Sequence, residues 1–574
     1  MDMHKNLPKR WLIAPVVPAS MREELKDYPP IFQQILYNRG IQSAEAAAKF
    51  LSADIPINEP HLLKDMQKGA ERVQRAIDNQ EKILVFGDYD VDGVTATVLL
   101  FECLTMLGGR VIKYIPNRFE EGYGLSADAL EAVLRLAPDV VVTVDCGVRS
   151  IDEIAQANKA GIDVIITDHH QPYELLPNAY AIICPWQPGD EYPFKSLSGV
   201  GLAYKLADAL LKKSRADLTQ DDRWLDLVAL GTIADLAPLT DENRALVRRG
   251  LEMIHKGNRR GLVALANVSG ISIEKTTAED VGYALAPRLN AAGRLSSAES
   301  AFHLLISTDG DECGRLALLL EQENARRQDL TKKIQEEVES QVVNIEGQSV
   351  LFYYSDSFNE GVVGLVASKL SESFYRPAMI GSLNEGVIRA SCRSIPEVNI
   401  TQMLDQVSDL LAQHGGHAMA AGFKLEEKYR DIFIERISSL IAQETAGKTL
   451  ISTIEADAEV ELPDLHIELL DLFQLLEPIG EDNPPPLLVA RSVEILRSKT
   501  VGHDGSHLKL AVRNPKKGGR PSVVFDAIAF NFGHLGEAIQ RGEKADILFS
   551  YEWNEYNGSK QPQLKIHDMR LLET

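Results

Sequence analysis

The sequence of 574 residues is too long for one hydrophobic core, and a working size of ~150 residues per domain divides it into three or four folded units. Hydrophobic residues at 45% and charged residues at 25% exclude a disordered or membrane-embedded chain, and five scattered cysteines without a C-x-x-C pair exclude a disulfide framework or a cysteine zinc site. A net charge of −23 argues against nucleic acid unless metals neutralise part of the acidic excess and the basic residues gather along one groove.

In chain order, residues 1–60 read as an N-terminal extension with a helical stretch at Ala44–Leu51. The opening MDMHKNLPKRWLIAPVV lacks a sustained apolar run, and no later run of about 18 uncharged apolar residues follows, so a cytoplasmic protein is expected. Over residues 61–240, apolar runs at Ile83–Phe86, Val140–Val144, Val164–Thr167 and Ala181–Ile183 alternate with helical segments, the pattern of a doubly wound α/β domain on a parallel sheet. Residues 241–347 form a helical connector, in which Leu316, Leu320, Leu330, Ile334, Val338 and Val342 keep mostly helical spacing. A second α/β domain is predicted over 348–450, with strands at Ser349–Tyr353 and Ala378–Ile380 and a helix after Gly361. The region 451–574 is β-rich at Leu508–Val512, Val523–Phe530 and Asp546–Trp553, consistent with an OB-like barrel.

The chemistry concentrates in the first α/β domain. Val85-Phe86-Gly87-Asp88-Tyr89-Asp90-Val91-Asp92-Gly93 places three aspartates beyond the first apolar run, and alternation turns them to one side if the backbone stays extended. Like charges this close repel unless a cation compensates them, and hard divalent cations take oxygen ligands. A lone D-x-D is more often an exposed acidic turn. Here, however, acidic residues recur where an open parallel sheet places ligands, past the carboxyl ends of strands: Asp145 after Val140–Val144, and Asp168-His169-His170 after Val164–Thr167. Asp235 ends a further apolar helical stretch. Mixed Asp and His ligation suits Mn²⁺, with Mg²⁺ as a substitute, and the carboxylates suffice for two ions sharing a ligand. Two ions ~3.5–4 Å apart can activate water and hold a phosphate for in-line displacement, so the reaction class is phosphoester hydrolysis.

These residues resemble the DHH superfamily of phosphoesterases, whose motif is spelled here by Asp168-His169-His170, with further matches at Asp90 and Asp92, at Asp145 and at Asp235. The resemblance implies that Asp90, Asp92, Asp145, His169 and Asp235 hold two divalent ions with Asp145 as the bridge. It implies that His170 contacts the scissile phosphate and that Asp168 orients the histidines. Many relatives carry a histidine four residues before the aspartate matching Asp90; Phe86 stands there, so one ion is bound more weakly or Asp88 substitutes.

Further stretches resemble the single-stranded-DNA exonuclease branch of the superfamily: Ile115–Leu125 with Arg118, and Ala286–Leu295 with Arg288, Asn290 and Arg294 suited to a nucleic-acid backbone. Ser391-Cys392-Arg393-Ser394 and His414-Gly415-Gly416-His417-Ala418-Met419-Ala420-Ala421-Gly422 resemble the DHH-associated domain. Gly415, Gly416 and His417 are expected to let the backbone approach phosphate, with N–H groups at a following helix start holding the anion. Arg118, Ser391 and Arg393 are expected to recognise a 5′-terminal phosphate. In the C-terminal region Arg513, Lys516, Lys517 and Arg520 form a basic loop, and Tyr551, Trp553 and Tyr556 offer stacking surfaces. The resemblance implies a 5′→3′ exonuclease on single-stranded DNA that releases 5′-mononucleotides in repair and recombination, with a helicase and a single-strand-binding protein as partners. The alternatives are a small-nucleotide phosphodiesterase, or a non-catalytic single-strand-binding replication protein, whose kind loses metal ligands.

Overall fold

The apolar runs of the first α/β domain become four strands of a five-stranded parallel sheet: β1 (Lys82–Gly87), β3 (Val140–Val144), β4 (Asp163–Thr167) and β5 (Ala181–Ile183), with β2 (Arg110–Tyr114) at the edge. The computed structural model describes all residues except 1–7, 119, 123, 214–221, 343, 344, 346, 503, 504, 515–521, 537, 557, 558, 573 and 574, and the side chains of 555, 556 and 559 also lie outside the described set. Strand order is β2-β1-β3-β4-β5, every pairing parallel. Alternate residues feed two cores: Ile83, Val85, Val140, Val142 and Ile165 enter one, and Leu84, Phe86, Val141, Val164 and Ile166 the other. A sheet covered on both faces needs such continuous apolar strands, each buried Val, Leu or Ile contributing ~1.5–3 kcal/mol. The edge strand β2 escaped the sequence reading because Arg110 and Lys113 interrupt a run that is never fully buried.

The chain divides into two compact units, Leu12–Leu320 with Glu455–Thr574, and Met1–Trp11 with Glu321–Ile454. In the larger unit, helix α1 (Val91–Met106) packs between the sheet and the apolar helices α2 (Gly199–Lys213) and α3 (Leu225–Ala234). Residues 241–320 of the predicted connector are largely helical, but they are no linker: Leu246, Leu262, Leu289, Phe302 and Leu305 enter the same core as the sheet. Helix α4 (Ala286–Leu295) belongs to this layer. The chain passes into the smaller unit along α5 (Gly310–Gln341), 32 residues long.

The smaller unit carries β6 (Leu351–Ser355), α6 (Val363–Phe374), β7 (Ala378–Asn384), β8 (Val387–Arg393), β9 (Leu411–Gly416) and β10 (Ala420–Glu426). Its sheet runs β9-β10-β8-β7-β6, with β6 and β7 parallel and the rest antiparallel.

The end of the larger unit is a five-stranded barrel of β11 (Leu488–Val501), β12 (His507–Arg513), β13 (Val524–Ala529), β14 (Lys544–Tyr556) and β15 (Ser559–Leu571). The order β11-β12-β13-β15-β14 closes through the β11–β14 pairing, and β13–β15 is parallel. The predicted extension is part of this core: helices Pro30–Asn38 and Ala44–Ser52 bury Phe32, Ile35, Leu36 and Leu51 against barrel residues. Arg244, fully buried, donates to the carbonyls of Phe50, Leu475 and Leu476 at 3.0, 3.0 and 2.8 Å, joining the N-terminal helices, the helical layer of the first α/β domain and the segment leading to the barrel. All five cysteines are buried and free, and no helix among the described residues is long and apolar enough to cross a membrane.

Candidate metal centre

In the sheet order β2-β1-β3-β4-β5 the chain reverses its direction of growth between β1 and β3, and the crevice outside their carboxyl ends is where open α/β sheets bind ligands. Asp88, Asp90 and Asp92 leave β1 at this point, Asp145 leaves β3, Asp168–His170 follow β4, and Asp235 arrives at the C-terminal end of α3.

The local backbone differs from the extended run expected over Asp88–Asp92. β1 stops at Gly87; Asp90 is the N-cap of α1, its Oδ1 accepting the Gly93 N–H at 3.1 Å, and Asp92 lies in the first helical turn. The three carboxylates reach one region because a helix start, not strand alternation, turns them there. Asp92 also accepts the Gly199 and Val200 N–H groups, 2.6 and 2.8 Å away at the N-terminus of α2, partners the sequence reading missed although the Gly199-Val200-Gly201 run marks a close approach. Asp145 sits in the left-handed region, φ 61°, with its N–H on the Thr167 carbonyl at 3.0 Å.

Three groups form, each with ligand atoms within 4.8 Å of one another: Asp88, Asp90 and Asp145; Asp145, His169 and His170; Asp92, His169 and Asp235. Asp145 and His169 each belong to two. His169 Nε2 lies 3.0 Å from Asp145 Oδ1, 3.7 Å from Asp235 Oδ2 and 3.9 Å from Asp92 Oδ2. Asp88 Oδ1, Asp145 Oδ1 and His169 Nε2 are buried without a hydrogen-bond partner among the described residues. An unsatisfied buried polar atom costs ~1–3 kcal/mol, more for a charged one, so three converging on one place call for a cation. The donor set of carboxylate oxygens and imidazole nitrogen fits Mn²⁺ or Mg²⁺.

Electrostatics give the same answer. Burial, then the neighbouring carboxylates, push Asp88 and Asp145 well above the usual range, Asp92 up to about 7 and Asp235 up to about 9. Burial, then His170, depresses His169 to about 4, which keeps the imidazole neutral, as a ligand must be. Burial alone would lower His170, but its hydrogen bond to Asp168 and that charge raise it to about 9. Asp168 accepts from His170 Nδ1 at 2.8 Å, from its N–H at 3.0 Å and from the Val148 N–H at 2.9 Å, which fixes the His170 ring. Phe86 lies in the apolar core stacked on Tyr114, and Asp88 faces the centre.

The remaining expected residues are scattered. Arg118 lies over the Tyr89 ring, 5.3 Å to the centroid. Arg288 donates to Ala284 O within its own helical segment at 2.8 Å, Arg294 lies in the last turn of α4, and Asn290 Oδ1 is occupied by the Val91 N–H at 3.2 Å. In the smaller unit a Cβ on Gly364, in the uncapped first turn of α6, would lie 3.4 Å from Ser391 Oγ and 3.6 Å from Arg393 Nη2, so a hydroxyl, a guanidinium and a helix N-terminus meet. The Gly415-Gly416-His417 expectation needs correction: Gly415 and Gly416 end β9, His417 turns directly into β10, and no helix start follows. Gly416 is required for packing, at φ 148° with a Cβ that would meet Ala421 Cα at 2.5 Å.

On the barrel, Tyr551 is no stacking surface; it is buried edge-on to Phe525 in the core. Trp553 is half-buried beneath Lys560, and Arg513 is held by Glu494 at 2.6 and 2.8 Å. Lys516, Lys517, Arg520 and the Tyr556 side chain lie outside the described residues. Among the described barrel residues Phe530 faces outward, 48% exposed with its ring edge-on to His507 at 5.1 Å; its place at the end of the Val523–Phe530 run was the available signal.

Comparison with known proteins agrees with this architecture. Three families match in chain order: the DHH family, N-terminal domain, over residues 82–232, the DHHA1 domain over 347–443 and the RecJ OB domain over 456–568. The single-stranded-DNA-specific exonuclease RecJ of Bacillus subtilis is 38% identical over 96% of this chain and 69% of its own length. That of Salmonella typhimurium is 34% identical over 95% of this chain and 96% of its own. RecJ of Thermus thermophilus in complex with Mn²⁺ superposes with a TM-score of 0.84 at 28% identity, covering 98% of this chain and 80% of that one; its Mg²⁺ complex gives 0.78.

Proposed function

The chain belongs to the RecJ family of single-stranded-DNA-specific exonucleases, and from that premise we propose that it removes 5′-mononucleotides from single strands in the 5′→3′ direction with two divalent ions. The observation that carries this reading is the convergence of the unpartnered Asp88, Asp145 and His169 atoms at the switch point of the sheet. Asp88, Asp90 and Asp145 would hold one Mn²⁺ or Mg²⁺, and Asp92, His169 and Asp235 the other, Asp145 reaching both. Bound there, the ions supply Lewis-acid stabilisation of phosphate oxygens and lower the pKa of water.

The protein's own groups do the rest. His170, kept protonated by Asp168, donates an N–H to a phosphate oxygen where negative charge grows in the transition state. Asp168 holds that ring in one orientation. Ser391 and Arg393, at the α6 N-terminus, suit a terminal phosphate, because a guanidinium fork and helix N–H groups both favour anions. Arg118, in the loop after β2, is proposed separately as a phosphate contact of the larger unit. Arg288 and Arg294 on α4 are proposed as nucleic-acid contacts of the larger unit, and Gly415, Gly416 and His417 of the hairpin as nucleic-acid contacts of the smaller one. A place of action on cytoplasmic DNA, beside a helicase and a single-strand-binding protein, completes the proposal.

The test is incubation of the purified chain with Mn²⁺ or Mg²⁺ and end-labelled linear single strands, duplexes, closed circles and dinucleotides. Mononucleotides released from linear single strands at the 5′ end are expected. Cleavage of circles, release from the 3′ end or turnover of dinucleotides alone would each overturn the reading.

A further inference from the structure

The loop leaving β1 is engaged by its side chains on the metal centre and by its backbone on a neighbouring helix. Asp88, Asp90 and Asp92 supply ligand groups, whereas Tyr89 and Val91 meet helix α4. Asn290, in the middle of that helix, accepts the Val91 N–H through Oδ1 at 3.2 Å. This N–H belongs to the first residue of α1, one of the first-turn donors a helix cannot satisfy internally. One turn on, Gly293 stands so close that a Cβ there would lie 2.6 Å from the Tyr89 carbonyl oxygen. The helix is itself anchored: Leu289 and Ala292 are buried in the core, and the π-helical turn Val281–Leu285 before it packs on α3, whose end carries Asp235.

We propose that Asn290 is a positioning residue of the metal centre: its carbonyl oxygen pins the first residue of α1 and thereby holds Asp90 and Asp92, on either side of Val91, in ligand geometry. A loop with three carboxylates beside those of Asp145 and Asp235 would otherwise relieve their repulsion by swinging one outward, and a swung ligand is lost to the ion. Groups that orient ligands without touching the metal typically govern affinity by roughly 10–100-fold. The sequence suggested a DNA contact for this residue; the geometry gives its oxygen to the protein backbone instead. The inference rests on the metal centre proposed above.

The experiment measures Mn²⁺ binding to the full chain without DNA, by the electron paramagnetic resonance signal of free Mn²⁺, with a thermal melt of the metal-free protein. Four variants are compared with the parent: Asp90→Asn, Asn290→Leu, Asn290→Ser and Asn290→Asp. Leucine keeps the volume and removes the acceptor, serine is too short to reach, and aspartate keeps an acceptor at the same reach. The leucine variant is expected to weaken Mn²⁺ binding roughly 10–100-fold. It should raise the Mn²⁺ concentration for half-maximal activity while kcat at saturating Mn²⁺ recovers, and the aspartate variant should bind no more weakly than the parent. Parent-like Mn²⁺ binding by a folded leucine variant overturns the proposal, as does an aspartate variant as weak as the leucine one. If leucine does not fold, serine is judged by the same criterion, and failure of both to fold makes the residue structural and ends the proposal. Unchanged binding by Asp90→Asn would instead overturn the metal centre itself.

Discussion

At Asp145 backbone and side chain are both held in costly states: φ is 61°, and the carboxylate is buried among four others with Oδ1 unpartnered. Asn tolerates the left-handed region, whereas Ala there costs ~1–2 kcal/mol, so Asp145→Asn separates charge from backbone. Turnover of single strands is expected to vanish, while the metal-free melting temperature holds or rises because a buried carboxyl whose ionisation the fold opposes is gone. Near-parent turnover would remove Asp145 from the centre. Conversely, Mn²⁺ added to the metal-free parent should raise its melting temperature, and this shift should be lost in the variant. In the smaller unit, Arg393→Ala is expected to lose ~1.5–3 kcal/mol of the preference for 5′-phosphate over 5′-hydroxyl strands, read from cleavage rates with Mn²⁺ binding unchanged. An unaltered preference would exclude Arg393 from end recognition. The acidic and histidine residues were legible because parallel strands buried on both faces are continuous apolar runs, and ligands follow their ends. Their orientation was not legible: whether Asp90 extends a strand or caps a helix depends on α4 and α2, which contact the loop from residues about 110 to 200 positions away.

Among the elements, those with strong apolar content were legible and those balanced between faces were not. The wholly apolar strands β3, inside the sheet, and β5, at its far edge, match the sequence reading residue for residue, whereas the edge strand β2 and the long barrel strands β11 and β15 mix charged and apolar residues because one face meets water. The glycines around Gly415 suggest a close backbone approach ahead of a helix start, yet the segment is a hairpin whose register is set by pairing with β8. Tyr551 shows the same limit, since alternation along a strand does not say which face closes a barrel. Phe530, half-exposed at the end of β13, is the better stacking candidate. Phe530→Ala should weaken binding of long single strands by ~1–3 kcal/mol, measured by fluorescence anisotropy, and leave strands of a few nucleotides unaffected. Equal losses on both lengths would place the residue outside the DNA track.

For the whole molecule, the N-terminal helices and the barrel share one core, and Arg244 ties both to the catalytic layer. Arg244→Met would leave the Phe50, Leu475 and Leu476 carbonyls without this donor and should destabilise by at least about 3 kcal/mol, read as a lower urea midpoint. A stability within about 0.5 kcal/mol of the parent would show the tie to be dispensable. Removing residues 455–574 alone would uncover Phe32, Ile35 and Leu36, so that truncation should aggregate more than one also lacking residues 12–52, as size-exclusion chromatography would show. The arrangement also has a cost in time. Asn38 bonds to Asp457, 419 residues later in the chain. At roughly 5–20 residues per second, the ribosome needs about 20–80 s between making the two. Through that interval the apolar faces of the helices over residues 30–52 have no barrel to bury against, so the nascent chain presents them to chaperones until the barrel strands are made and complete that core.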